Sequence, residues 1–158
     1  MKIRFSERYE DIAAIHDALY TYNLTKTGMD RVDVHAERFP EQFALLGCDE
    51  RGAAHGGIAC HWENAPRRVF VDYFYLDDRL RGGGFGRRIM EELIEYAEDR
   101  GASRIDLTTN TFQAPGFYLK LGFEITEEKP DPKPRCPENI HYCLSRNLGR
   151  PRMEDFQS

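Results

Sequence analysis

No stretch of the 158 residues approaches the roughly 20 consecutive apolar side chains that a helix needs to cross a bilayer, so no membrane span is expected. The opening, Met1-Lys2-Ile3-Arg4-Phe5-Ser6-Glu7, lacks the apolar stretch of a secretion signal, which predicts a chain that keeps its first residues. The four cysteines, Cys48, Cys60, Cys136 and Cys143, form no C-x-x-C pair. That argues against a redox motif and predicts reduced thiols in a cytoplasmic protein. An excess of basic residues is missing too: 22 Lys plus Arg stand against 27 Asp plus Glu, a net charge of -5, which disfavours a general nucleic-acid binder. Internal repeats, low-complexity tracts and long linkers are absent, so one domain is expected over residues 1–148, with 149–158 as a loose tail.

What is present alternates between two periods. Lys2 to Ser6 reads as a strand, and Ile12, Ile15, Leu19 and Tyr22 form one apolar stripe of a helix from Glu10 to Thr27 that Gly28 can close. Gln42 to Cys48 and Ala54 to Trp62 read as strands around the turn Asp49-Glu50-Arg51-Gly52. Val69 to Leu76 is almost continuously β-branched or aromatic, the pattern of a strand covered on both faces, and Asp72 is its only charge. A helix with Phe85, Ile89, Leu93 and Tyr96 or Ala97 on one face follows, ended by Gly101. Then come a strand from Arg104 to Thr109, a two-turn helix from Pro115 to Leu121, and strands at Phe123 to Glu127 and Ile140 to Leu148. The Pro130 to Pro137 segment reads as a stiff exposed loop. The order β-α-β-β-β-α-β-α-β-β predicts an α/β protein with a mixed sheet and helices on its faces.

Chemistry is expected where Arg81-Gly82-Gly83-Gly84-Phe85-Gly86 joins a buried strand to an amphipathic helix. Four glycines in five residues free consecutive backbone N–H groups, and the helix N-terminus adds positive potential, so the loop suits an anion, above all a phosphate. Arg79, Arg81, Arg87 and Arg88 make this corner basic in an acidic chain. A Walker loop needs Gly-Lys-Ser/Thr, where this chain has Gly86-Arg87-Arg88. The dinucleotide fingerprint would need glycine at Arg87 or Ile89. An NTPase and a nicotinamide-dinucleotide dehydrogenase are both disfavoured.

The same residues resemble the GNAT superfamily of acyl-CoA-dependent N-acetyltransferases. Arg81-Gly82-Gly83-Gly84-Phe85-Gly86 stands as its glycine signature. Tyr75 to Leu80 is similar to its strand-to-loop entry, and Gln113-Ala114-Pro115-Gly116-Phe117-Tyr118-Leu119-Lys120-Leu121-Gly122-Phe123 to its later tyrosine motif. The resemblance is close from Phe70 to Glu124. It implies acetyl-CoA as co-substrate, held by the backbone from Arg81 through Gly82, Gly83, Gly84, Phe85 and Gly86 to Arg87. Phe74 and Leu76 would pair with the pantetheine amides in a slot between the fourth and fifth strands, splayed by a bulge. Where the family often has Asn, Thr111 stands here, with Asn110 one residue early as the nearest pantetheine contact from that side.

Acetyl transfer to an amine requires a base, a polarised thioester carbonyl and a hydrogen-bond donor for the leaving thiolate. By resemblance Tyr118 is that donor. Asp72, a carboxylate in an apolar strand, and Glu63, at the end of the preceding strand, are rival candidates for the base. His61 reads as a packed residue, and His61 and Trp62 together border the expected acceptor pocket. Zinc ligands normally come as spaced pairs, which Cys60-His61 and His141-Tyr142-Cys143 do not form, so no metal is expected. The implied activity is acetyl transfer to a primary amine, on a small molecule or a protein, by direct attack. A catalytically silent acyl-CoA-binding or regulatory module on the same fold is the alternative. Monomer and homodimer are both compatible with the sequence.

Overall fold

The computed structural model describes residues 1–28, 35–113 and 115–149; most of the expected tail lies outside the described residues. The elements are β1 (Lys2–Ser6), α1 (Tyr9–Thr27), β2 (Gln42–Cys48), β3 (Ala54–Asn64), β4 (Arg67–Leu76), α2 (Phe85–Asp99), β5 (Arg104–Asn110), α3 (Gly116–Leu119), β6 (Glu124–Pro130) and β7 (Ile140–Asn147). They build one seven-stranded sheet in the order β1-β2-β3-β4-β5-β7-β6. The expected meander is present as β2, β3 and β4, antiparallel in turn. β4 and β5 are parallel, and β7 inserts antiparallel between β5 and β6.

The alternation of side chains along the strands sorts them to two faces. Phe43, Leu45, Ile58, Cys60, Val69, Val71, Ile105 and Leu107 meet the Phe85, Ile89, Leu93 and Ala97 stripe of α2, all buried. Ala97 is the fully buried member of that stripe, while Tyr96 lies partly buried against Phe43 and Trp62. On the other face Ile12 and Ile15 of α1 cover Ala44, Leu46 and Ala59, beside Tyr73 and Tyr75. β4 is thus covered on both faces, as its near-continuous apolar run predicted. Gly28 closes α1 in a left-handed conformation, φ 73°, with its N–H on the Leu24 carbonyl.

Two expectations are corrected. The helix expected over Pro115–Leu121 is a single turn, because the Leu121 and Gly122 N–H groups turn back onto Tyr118 and Leu119, and a 3-10 turn at Thr111–Gln113 precedes it. β6 runs on to Pro130, where it pairs with Ile140. The following loop packs on the end of α1: Arg135 donates its backbone N–H to the Thr27 carbonyl at 2.9 Å and Nη1 to Thr25 at 3.0 Å, satisfying carbonyls that a helix end leaves free.

The β2–β3 turn is fastened to the end of β4 by His55, whose Nε2 meets Asp49 at 2.7 Å and whose Nδ1 meets Asp77 at 3.1 Å. Asp77 also accepts the Arg79 N–H, so this clasp shapes the entry to the glycine loop. Both ring nitrogens donate only in the imidazolium form. The Asp49 hydrogen bond, with that to Asp77, holds His55 above its ordinary 6.5 despite partial desolvation. The same bond and the Ala53 N–H hold Asp49 below 3.8. The histidine contribution is complete below pH 6.5 and fades as pH rises through the raised value. The aspartate contribution is complete above 3.8 and fades as pH falls through the lowered one. His55→Gln is expected to lower Tm most in the window between them, and the deficit should narrow as pH rises from 6.5 through the raised value. Paired thermal melts across that range check it.

Candidate active site

β4 and β5 are joined only at Val69↔Ile105 and Phe70↔Asp106. Beyond that point they part, and a cavity of about 300 Å³ opens between them. Two features hold it open. In β4 the register against β3 jumps from Cys60↔Val71 to Ala59↔Tyr73, so Asp72 is the extra residue of a bulge. The expected bulge is therefore at Asp72, nearer the middle of the strand than its Phe74–Leu76 end. From the other side α3 inserts rings: Phe117 and Tyr118 lie 5.9 and 6.4 Å from Phe74, and Tyr118 lies 5.8 Å from Phe123.

At one end of the cavity is the glycine loop. Gly84 takes φ 74° at the start of α2, and the first helical hydrogen bond runs from the Arg88 N–H to the Gly84 carbonyl. The N–H groups of Phe85, Gly86 and Arg87 therefore point out of the helix end. Side chains added at Gly82, Gly83 or Gly84 would meet nothing within 4 Å, and a Cβ at Gly86 would touch Leu76 and Phe117 at 3.5 Å. Backbone is thus exposed to whatever enters. Arg81 turns inward: Nε donates to the Leu76 carbonyl at 2.7 Å, and the guanidinium lies 5.4 Å from the Tyr22 and Tyr75 rings.

In the middle, Tyr118 lines the cavity. Withdrawal of its hydroxyl from water pushes its pKa up from the ordinary 10.0, so across working pH it keeps its proton and can donate it in a hydrogen bond.

Toward the other face of the sheet lies Asp72, also on the cavity wall. Both its oxygens are within reach of His61 Nδ1, at 3.0 and 2.8 Å, and each side chain is 8% exposed. Burial pushes the Asp72 carboxyl up, and His61 opposes that without cancelling it. Burial pulls His61 down, but the Asp72 bond and charge, helped by Glu63, leave it raised. Glu63 lies outside the cavity lining, its Oε2 3.5 Å from His61 Nε2 and its Oε1 held by Arg68 Nη2 at 2.8 Å. Trp62 is a core residue under Tyr96, and neither it nor His61 borders the cavity, contrary to their expected place at the acceptor pocket.

The predicted residues Phe74, Leu76, Arg81, Gly86, Asp72 and Tyr118 are brought to one cavity. Asn110 is not among its lining residues: it donates to Gln113 at 3.1 Å and accepts from Asn139 at 3.0 Å, while Gln113 reaches the wall and donates to Asn23 of α1. Gln113, Leu19 and Tyr22 also line the cavity, and nothing in the sequence beyond position marks them as site residues. Their only sequence signal is position, Gln113 just before the tyrosine motif and the other two at the C-terminal end of the α1 stripe.

The sequence model of the Acetyltransferase (GNAT) family matches residues 9–123, and the chain belongs to that family of acetyltransferase enzymes. Blasticidin-S acetyltransferase of Streptomyces morookaense is 34% identical over 113 residues, 70% of this chain and 80% of that protein. A shorter match, 33% over 69 residues, joins 42% of this chain to 45% of the spermine/spermidine N(1)-acetyltransferase of Bacillus subtilis. Among solved structures, the ribosomal-protein-S18-alanine N-acetyltransferase of Escherichia coli superposes with a TM-score of 0.64 at 17% identity, covering 96% of each chain. The NatC complex bound to Gag peptide and CoA gives 0.62 at 17%, covering 94% of this chain and 100% of that one. These likenesses bear on the fold.

His61→Ala would leave Asp72 buried without its partner. The cost at pH 7 is capped near 4 kcal/mol, because the carboxyl can instead take up a proton about 3 units above its ordinary pKa. A loss of about 3 kcal/mol is expected in urea unfolding, shrinking as pH is lowered.

Proposed function

We propose that this protein transfers the acetyl group of acetyl-CoA to a primary amine by direct attack within one ternary complex. The observation that carries the reading is a single cavity with free N–H groups and Arg81 at one end, a carboxylate at the other and a tyrosine hydroxyl between them. The N–H groups at the start of α2 suit a diphosphate. On the β4 edge left unpaired by β5, the backbone of Phe74 and Leu76 suits the amides of a pantetheine arm, once Arg81 releases the Leu76 carbonyl. An absence of side chains at Gly82 to Gly84 and at Gly86 leaves room for both.

Asp72 takes the proton of the acceptor ammonium, and the neutral amine attacks the thioester carbonyl. Tyr118 donates a hydrogen bond to the departing sulfur, and the thiolate takes the second proton of the attacking nitrogen, so that the amide and the CoA thiol are the products. An ordinary tyrosine at about 10 and a thiol at about 8.5 make complete transfer uphill by about 2 kcal/mol, and burial of Tyr118 adds to that. Donation without full transfer is therefore the role this hydroxyl supports. The acceptor would be a small-molecule or protein amine that is cationic before it reacts, matching the Asp72 end of the cavity. Relatives named for blasticidin-S and for spermine and spermidine fit a small-molecule amine. Residues 20–42 and the 130–137 loop would select among acceptors; of these, 29–34 lie outside the described residues. Free thiols at all four cysteines fit a reducing compartment.

At about a hundred times its Kd, CoA is expected to add about 2.7 kcal/mol to stability, raising Tm by about 5–10 °C, with ATP and NAD giving less. Absence of any shift at millimolar CoA would defeat the reading. Gly86→Val, whose Cβ has room but whose methyls reach into the cavity, should fold normally and weaken CoA about tenfold or more by calorimetry. Tyr118→Phe should lower kcat roughly 10²-fold with the CoA Kd within about threefold. A folded protein that binds CoA yet releases none with any amine would favour the silent module.

A further inference from the structure

The two carboxylates that sequence leaves as rival bases, Asp72 and Glu63, lie at opposite ends of one imidazole. His61 Nδ1 faces both Asp72 oxygens at 2.8 and 3.0 Å, and Nε2 faces Glu63 Oε2 at 3.5 Å. The line runs outward: the side chains of Asp72 and His61 are 8% exposed and that of Glu63 is 40% exposed. Only Asp72 borders the cavity.

The ring is clamped in this orientation. Phe39 stacks on it at 4.1 Å and 14°, and Phe70 lies tilted to it at 5.7 Å. Arg68 fixes Glu63 with two contacts, at 3.0 and 2.8 Å, and is itself fixed by Asp106 at 2.7 Å. Such a constellation is more than a pair that neutralises a buried charge. A single partner would suffice for that, whereas here a second carboxylate, itself held by Arg68, stands at Nε2.

We propose, resting on the reading of Asp72 as the base, that His61 is a positioning residue that exchanges charge with it: Asp72 receives a proton from the acceptor ammonium while His61 discharges one through Nε2 to Glu63 and water. The N–H bond of the ammonium breaks and an O–H bond forms on the Asp72 carboxylate. The Nε2–H bond breaks, and its proton goes to the Glu63 carboxylate and then to solvent. One proton enters the trio and one leaves, so its net charge stays at one negative. The Nδ1–H bond stays intact and keeps donating to the Asp72 carboxyl throughout. Loss of the imidazolium charge makes Asp72 more basic at the moment it must accept. Reset follows when Asp72 gives its proton to water in the emptied cavity and Nε2 regains one by way of Glu63.

Several charged groups bear on this titration. Asp72 and Glu63 face the ring directly, while Glu37, from the segment before β2, acts on Asp72. Arg68 and Asp106 act through Glu63. The carboxylates next to His61 favour the imidazolium at rest, so the rate should climb with pH along the limb on which His61 loses its proton.

The test combines ring-nitrogen NMR of His61 with pH profiles of kcat/KM. The acceptor is the fastest one found in a panel of spermidine, a lysine-containing peptide and a simple alkylamine. In wild type both ring nitrogens should be protonated at neutral pH. Glu63→Gln, a change on a half-exposed side chain, should move the His61 titration and the acid limb together to lower pH by about half a unit or more. His61→Asn keeps a donor to Asp72 but has nothing at Nε2; it should lose the limb and about tenfold in kcat, with CoA affinity unchanged. An acid limb that stays in place in both variants, or a His61 titration blind to Glu63→Gln, overturns the proposal while leaving Asp72 as base. Asp72→Asn with full activity, or no CoA release with any amine, would instead overturn the reading on which it rests.

Discussion

Everything this protein can do at its site depends on two parallel strands that stop pairing halfway. After Phe70 and Asp106 the backbone groups of β4 and β5 that would bond one another are left to find other partners. Parting is tolerable because each strand keeps its other neighbour: β4 is paired to β3 as far as Leu76, and β5 to β7 as far as Asn110. The sheet therefore stays continuous while it gapes in the middle. The bulge at Asp72 and the rings of α3 keep the strands from closing again.

The same parting separates charges. A chain with net charge -5 gathers Arg79, Arg81, Arg87 and Arg88 around the glycine loop, while the far end of the cavity carries the buried Asp72. Opposite polarities at the two ends of one slot would sort an anionic donor from a cationic acceptor before either is bound, since fields are focused by low-dielectric walls. Burial then gives each group its direction. Desolvation makes Tyr118 a firm donor and Asp72 a stronger base than an exposed carboxylate.

Behind Gln113 on the cavity wall, polar side chains bond one another. Asn23, Asn110, Gln113 and Asn139 tie α1, the end of β5 and the 130s loop into one hydrogen-bonded set. Arg135 adds its contacts to the carbonyl end of α1. Rigid polar walls of this kind position a site without spending charge on it.

Local signals in the sequence carried the element order, the apolar stripe of α2, the doubly covered β4 and the anion-ready loop, because each is written in a period or in glycine chemistry within about fifteen residues. Membership in an acetyltransferase family was equally legible, from Arg81–Gly86 and Tyr118–Phe123. Tertiary structure alone decided what Asp72 is. Its place as the extra residue of a bulge, and the pairing of Cys60 with Val71, bring it beside His61 across two strands, and no single-chain spacing encodes a register shift. Asn110 turned into a support behind the cavity wall for the same reason, since its partner Asn139 arrives from the loop just before β7, the strand that returns between β5 and β6. Sequence determined which residues could do chemistry; long-range pairing, whose register no local pattern specifies, determined which of them meet.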